Sequence, residues 1–374
     1  MIKDNANYEI CPTCVMDNES GIQLEVDQNG ECRYCRGYKE DAALLLKEGE
    51  EGKAFVEQQI AKIKVDGKGK DYDCIIGLSG GVDSSYVALL MKDYGLRPLV
   101  VHLDNGWNSA LAVSNIHKIV DQLGFDLYTH VIDWQEFRDL QRSFIKASVI
   151  DIELLTDHAI SAIMLEQAYK NKISHTISGF NVVTEAILPD EWIHVKRDWG
   201  NIKSIHKQFG DRKIKTFPHL TIKQRAKFEM LNKLGFLSIL NYIPFNKEAA
   251  MKRLQDELDW VPYEGKHFES IFTRFYQAYI LPNKFHVDKR RAHLSSLVCS
   301  GQIKREEAIA ELEKSIYDDA LLNQDKTFVL KKLGFTEEEF DAYIKADPIS
   351  HMSYGSDEGK YKYYYFLKHK LGMA

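Results

Sequence analysis

Proline is scarce, 8 residues in a chain of 374, and those 8 are scattered, so no proline-rich or low-complexity tract divides the sequence. Cysteine is sparse too. Six residues are too few to staple a chain of this size, which excludes a disulfide scaffold and points to a reducing compartment. No apolar run approaches the roughly 18 residues of a membrane span, and the opening MIKDNANYEICPTC carries no apolar leader. The expectation is a cytoplasmic protein without a membrane association. Excess positive charge is missing as well: 49 Lys and Arg stand against 55 Asp and Glu, for a net charge of −6, so no nucleic-acid partner is expected. What is present is ordinary globular material, 44% hydrophobic and 28% charged, which rules out disorder or a fibrous repeat for the whole chain. At about 150 residues per domain the length suits two domains and a small extra module.

The pattern divides the chain into four parts. Residues 1–40 are poor in apolar runs and hold paired cysteines. Residues 41–70 read as a helical linker, with Phe55, Val56, Ile60 and Ile63 at helical spacing and a turn-like DGKGK at its end. From 71 to 245 short apolar strands (DCIIGL, PLVVHL, 125–132 and 174–178) alternate with helices, which predicts an α/β fold built on a doubly wound parallel sheet. Residues 246–374 read as a helical region for substrate or partner binding. Helices are expected at 246–258, 266–280, 288–298, 302–315, 326–333 and 336–345, the last opened by Thr336 and three glutamates.

The most specific motif is Ser79-Gly80-Gly81-Val82-Asp83-Ser84-Ser85, set between the strand DCIIGL and a helix. A pyrophosphate needs several donors converging on it and no side chain in the way. Two glycines permit close backbone approach, a helix N-terminus adds unpaired N–H groups, and Ser79, Ser84 and Ser85 add hydroxyls. Asp83 is placed to orient Mg²⁺ or the loop itself. Neither a Walker A loop nor a G-x-G-x-x-G fingerprint is present. Asp104 and Asn105, at the end of the next strand, fall where open α/β sheets bind ligands; contact with the nucleotide and a plain β-turn are the two readings.

Cys11-Pro-Thr-Cys14 and Cys32-Arg-Tyr-Cys35 are two C-x-x-C knuckles with 17 residues between them. Four thiolates so spaced can enclose one Zn²⁺ with no open position, a structural site. Cys74 and Cys299 read as packing residues.

Further along, Gly179, Asn181 and Glu185 follow a strand end and are candidates for the nucleotide, Mg²⁺ or the substrate amide; a helix cap with a surface Glu is the other reading. A stretch dense in cations and aromatics then supplies Lys266, His267, Arg274, Lys284, Lys289, Arg290 and Arg291, which suit a di- or triphosphate, or else a solvated helix face.

The SGGVDSS loop matches that of the ATP-pyrophosphatase (PP-loop) superfamily. The fuller set CPTCVMD, CRYC, LDNGWN, SGFNVVTE and GKHFES through DKRRAHLSSLVCSGQI resembles the N-acetyl sugar amidotransferases of bacterial surface-glycan pathways. That resemblance implies a Rossmann-like PP-loop domain with Ser79, Gly80, Gly81, Asp83 and Ser84 as the catalytic set. Val82, Ser85, Asp104, Asn105 and Gly179 would complete the ATP site, and Asn181, Glu185, Lys266, His267, Lys284, Lys289 and Arg290 the substrate site. It further implies ATP with Mg²⁺, structural Zn²⁺, a nucleotide-linked N-acetyl sugar or related sugar acid as substrate, and an AMP-forming conversion of acetamido to acetamidino. No glutaminase nucleophile is evident in the chain, so a separate histidine-biosynthesis-like glutaminase subunit is the expected source of ammonia. A tRNA-thiolating PP-loop enzyme is the alternative. It is weighed down by the negative net charge and by the lack of a reactive cysteine pair near the loop.

Overall fold

The computed structural model describes residues 8–19, 21–47, 49–232, 234–263 and 268–370. After the cysteine module come α1 (Arg33–Leu45) and α2 (Gly49–Asp66). The sheet unit then alternates: β1 (Cys74–Gly77), α3 (Val82–Asp93), β2 (Pro98–Asp104), α4 (Ala110–Leu123), β3 (Asp126–Val131), α5 (Trp134–Lys146), α6 (Leu154–Lys170) and β4 (His175–Ser178). A short α7 (Val182–Glu185), α8 (Trp199–Phe209), α9 (Ile222–Asn232) and β5 (Gly235–Ser238) complete it. Beyond these lie α10 (Lys247–Leu258), α11 (Ile271–Phe275) and α12 (Leu281–Phe285), the last two joined by one wide turn at Tyr276–Ile280. The chain ends in α13 (Arg290–Cys299), α14 (Arg305–Glu313), α15 (Asp319–Leu333), α16 (Glu337–Lys345) and α17 (Glu358–Lys370).

Among the described residues five strands form one sheet, all parallel, in the order β3-β2-β1-β4-β5. Strand order therefore reverses between β1 and β4, and the crevice at their C-terminal ends is where such sheets hold ligands. Alternation along β1 divides the two faces. Cys74 and Ile76 join Val56, Ile60 and Ile63 of α2, Val87 of α3, Ile116 and Ile119 of α4 and Leu254 of α10 in one core. Ile75 joins Phe137 and Phe144 of α5 and Ala159 and Ile163 of α6 in the other. This second core continues without a break into the C-terminal helices, through Phe275, Leu330 and Phe340, and into the cysteine module, through Cys11, Met16 and Cys35. The doubly wound α/β architecture expected from the sequence is the one observed.

Local signals set the helix ends. Ser109 caps α4 by accepting the Ala112 N–H, and Gly124 closes it in the left-handed region. Thr336 and Glu339 form the reciprocal capping box anticipated at α16. The Leu-Asp-Asn-Gly-Trp turn after β2 is an anchor. Trp107 is buried against Trp134, Phe272 and Phe328, and the backbone at Trp107 and Ser109 bonds to Ile271 and Glu269. This contact carries the start of the C-terminal helical region to the mouth of the sheet crevice.

Candidate active site and metal centre

The phosphate loop leaves β1 and runs into α3. Gly80 takes φ +86°, a conformation that L side chains adopt at a cost, and its carbonyl accepts from Trp260 Nε1 at 2.9 Å and Tyr263 Oη at 3.1 Å. Gly81 is the N-cap residue of α3, so the free N–H groups of that helix open at the loop. The Ser79 and Ser84 hydroxyls lie 3.1 Å apart, and Ser84 Oγ also bonds the Ser79 N–H and the Gly81 carbonyl. Across the crevice, Gly179 follows β4 so closely that a Cβ there would stand 3.1 Å from the Asp83 carbonyl carbon. A side chain there would require the Asp83 backbone to give by a few tenths of an ångström.

A cleft of about 870 Å³ joins these segments. Of the residues singled out in the sequence, Ser79, Gly81, Val82, Asp83 and Ser84 line it together with Gly179 and Glu185, while Gly80 forms the turn beneath. Ser85 contributes only backbone, because its hydroxyl is fully buried with no hydrogen-bond partner among the described residues. Sequence reasoning missed Asp157 on α6, Trp260 and Tyr263 after α10, and Glu269 before α11, all of which line the cleft. Burial raises the Tyr263 phenol to about 12, so it is a hydroxyl donor over the whole physiological range. Asp83, Asp157, Glu185, Glu248 and Glu269 line the cleft against Lys247, a strongly acidic surround among the described residues. A triphosphate is repelled there unless divalent cations stand between, and carboxylate oxygens are the donors Mg²⁺ takes.

Other sequence candidates are employed elsewhere. Asp104 accepts the Gly106 N–H, and Asn105 is buried, accepting from Trp107 and donating to Thr156 at 3.3 Å; the pair forms a turn outside the cleft lining. Asn181 is fully buried as the cap of α7, accepting from the backbone and hydroxyl of Thr184 at 2.9 Å. Lys284 is buried and donates to the Tyr343 and Ala346 carbonyls, closing the end of α16. Arg290 pairs with Asp288 and holds the Glu311, Leu312 and Lys314 carbonyls at the end of α14. Lys289 faces Glu153 at 4.0 Å, Arg274 is paired with Asp325, and Arg291 is paired with Asp17. The cation cluster is thus spread over intramolecular contacts, because a cation at a helix C-terminus satisfies open carbonyls. Lys266 and His267 lie outside the described residues.

The four knuckle cysteines converge. Their sulfurs lie within 4.8 Å of one another, with Cys11–Cys35, Cys14–Cys32 and Cys32–Cys35 each at 3.7 Å. A metal bound tetrahedrally at about 2.3 Å sets its thiolates about 3.8 Å apart, so the cage has the right edge for one such ion. The Cys14 and Met16 N–H groups point at Cys11 and Cys14 sulfurs at 3.5 Å, the support thiolates take when they ligate. Arg305 clasps the Cys11 and Cys14 carbonyls from α14, and Arg291 clasps the Val15 carbonyl from α13. Cys74 is sealed in the β1 core, where burial pushes its thiol up. Cys299 lies against Cys35, beside the cage.

No helix among the described residues is long and apolar enough to cross a membrane. No curated protein sequence matches the chain. Among solved structures it is similar to the NMN synthetase from Francisella tularensis, at 14% identity over 72% of this chain and 100% of that one, with a TM-score of 0.33. It is also similar to the NH3-dependent NAD synthetase from Campylobacter jejuni subsp. jejuni, at 15% identity over 76% and 97% with a TM-score of 0.30. The U34-tRNA thiolase NcsA from Methanococcus maripaludis, described with its 4Fe-4S cluster, is similar at 12% identity over 76% and 82%, with a TM-score of 0.33. Residues 269–368, the block that begins with the cleft residue Glu269, match the family described as LPS biosynthesis protein WbpG-like, C-terminal domain.

Proposed function

We propose that the protein is an AMP-forming, ATP-dependent amidotransferase that converts the acetamido group of an N-acetylated sugar into an acetamidino group for a bacterial surface glycan. The observation that carries this reading is the juxtaposition of the phosphate loop with the Gly179–Glu185 turn around one acidic cleft at the strand-order reversal. The family's description as lipopolysaccharide biosynthesis proteins supports the glycan side.

The chain's own groups account for the steps. The N–H groups at the start of α3 and the Ser79 and Ser84 hydroxyls grip the outer phosphates, so that the α-phosphorus faces the incoming carbonyl oxygen. That oxygen bonds to phosphorus, and the bond to the bridging oxygen breaks to release pyrophosphate. Ammonia then bonds to the activated carbon, the C–O bond breaks, AMP leaves with the oxygen, and a proton is lost to solvent. Asp83, Glu185 and Glu269 would hold Mg²⁺, which neutralises phosphate charge as it moves to the leaving group. The four cysteines would hold a structural Zn²⁺ that adds no chemistry of its own. A separate glutaminase subunit would deliver the ammonia, and the enzyme would work in the cytoplasm.

The test supplies ATP, ammonia and UDP-acetamido sugars, or tRNA, and scores AMP, pyrophosphate and the mass of the acceptor. AMP with a loss of one mass unit on the sugar, oxygen exchanged for NH, is the expected result. ADP with inorganic phosphate, or sulfur added to tRNA, overturns the proposal.

A further inference from the structure

A second cavity, of about 1030 Å³, lies next to the phosphate-loop cleft and takes no part in the steps above. The segment Asp190–Arg197, Arg225 and the turn around His351 wall it, with Phe285 and Ile349 giving apolar surface. Helix α6 borders both spaces along one face: Asp157 lines the cleft, and Ser161, one turn on, lines the second cavity. The Lys196 ammonium, from the second cavity, bonds Asp157 at 3.0 Å and Asp151 at 2.7 Å. The Lys196–Asp157 ion pair thus stands between a residue of one lining and a residue of the other.

Three cations face this cavity, and two are neutralised: Lys196 by those aspartates, Arg225 by Glu229 at 3.1 Å. Arg197 has no carboxylate partner among the described residues. Its guanidinium lies 4.5 Å from the Tyr365 ring centroid and 5.5 Å from that of Tyr361, with Nη1 donating to Tyr365 Oη at 3.3 Å. Its Nε is buried with no acceptor among the described residues. Of the carboxylates in the wall, Glu191 is held by Arg33 and Glu358 by Lys362, and Asp190 stands exposed at the mouth. A permanent charge pinned between two rings, with one donor unpaired and no carboxylate against it among the described residues, suits an anion, and a planar guanidinium matches phosphate or carboxylate oxygens.

We propose that this second cavity binds the acceptor sugar through its anionic group, on Arg197, and passes the acetamido arm over the Lys196–Asp157 ion pair to the phosphate loop. The anion is either the diphosphate of a sugar nucleotide or the carboxylate of a sugar acid. The inference rests on the reading above that an N-acetylated sugar is the group adenylated.

Calorimetric titration of the full chain with UDP-N-acetylglucosamine, N-acetylneuraminic acid and Mg²⁺-α,β-methylene-ATP tests it. We expect one of the two sugar probes to bind the parent protein, and which one binds identifies the anion. In Arg197→Ala and Arg197→Gln that binding weakens about 10- to 100-fold, the range for a lost charged hydrogen bond. Both variants keep parental affinity for the ATP analogue, which also shows that they fold, whereas Ser84→Ala loses the analogue and keeps the sugar probe. Failure of both sugar probes to bind, or equal affinity in the Arg197 variants, overturns the proposal. If the ATP analogue alone fails to bind the parent protein, the amidotransferase reading falls while the anion site stands.

Discussion

Gly80 is the residue on which the phosphate loop turns, and replacing it with alanine perturbs the loop in two separable ways. The first is conformational. At φ +86° a Cβ is strained wherever space allows it, at a cost of about 1–2 kcal/mol. The second is contact. The new methyl would stand 3.0 Å from the Tyr263 hydroxyl and 3.1 Å from the Ala112 carbonyl, so it is crowded by a few tenths of an ångström on both sides. The Ala112 oxygen belongs to the backbone of α4 and holds its place; the phenol can swing. Together these put the destabilisation of Gly80→Ala at about 2–3 kcal/mol. Tyr263→Phe alone should cost no more than about 1 kcal/mol, because the Gly80 carbonyl keeps its bond from Trp260. The double variant removes the hydroxyl that the methyl meets, so the two losses add to less than their sum, by about 0.5–1 kcal/mol. Urea unfolding followed by tryptophan fluorescence gives all four corners of the cycle. A Gly80→Ala protein within about 0.5 kcal/mol of the parent, inside the range of an ordinary surface change, would refute the argument.

Asp83→Ala and Ser84→Ala should fold normally yet form no AMP; wild-type turnover in either removes the phosphate-loop assignment. Cys14→Ser or Cys35→Ser should lose bound metal by elemental analysis and unfold more readily, and a fully stable, metal-free variant would dismiss the structural ion. His158 gives a pH signature: its Nδ1 donates to the Lys196 carbonyl at 3.0 Å while Nε2 accepts the Leu220 N–H at 3.3 Å, which only the neutral ring can do. Burial lowers its pKa from 6.5 to about 4, so the unfolded chain protonates first and stability present above pH 6.5 is lost as the pH falls towards 4. This one ring should remove about 2 kcal/mol between pH 7 and pH 5, a loss that His158→Gln escapes; an equal pH slope in both proteins contradicts it.

The sheet was legible where strands are buried on both faces. DCIIGL and PLVVHL announce β1 and β2 by their unbroken apolar runs, and the loop between strand and helix carries its own geometry in two glycines. β5 was not, since Gly235–Ser238 has only four residues, begins with glycine and exposes its first two positions. The final helix α17 was missed for a similar reason: a run of Lys and Tyr buries only Tyr361 and has no apolar stripe. In the site, residues local to the loop could be read, but Asp157, Trp260 and Tyr263 come from far along the chain and bear no motif, and Glu269 sits in GKHFES, where the cations drew the reading instead. The cations show the converse difficulty. A lysine or arginine before a phosphate and one before open helix carbonyls look alike in sequence, and only the packing of α14 and α16 decides for Arg290 and Lys284.

α13 stands between the cysteine cage and the rim of the cleft. On one side the Val15 N–H donates to Ser295 Oγ at 3.2 Å, and on the other the Ile187 N–H donates to Ser296 Oγ at 3.0 Å, just past the turn that presents Glu185. A proteolytic cut freeing the first seventy residues would leave every strand of the sheet intact yet strip this helix of its backing. A fragment without the cysteine module should therefore keep its sheet and yet lose the setting of Glu185 beside the loop after β1.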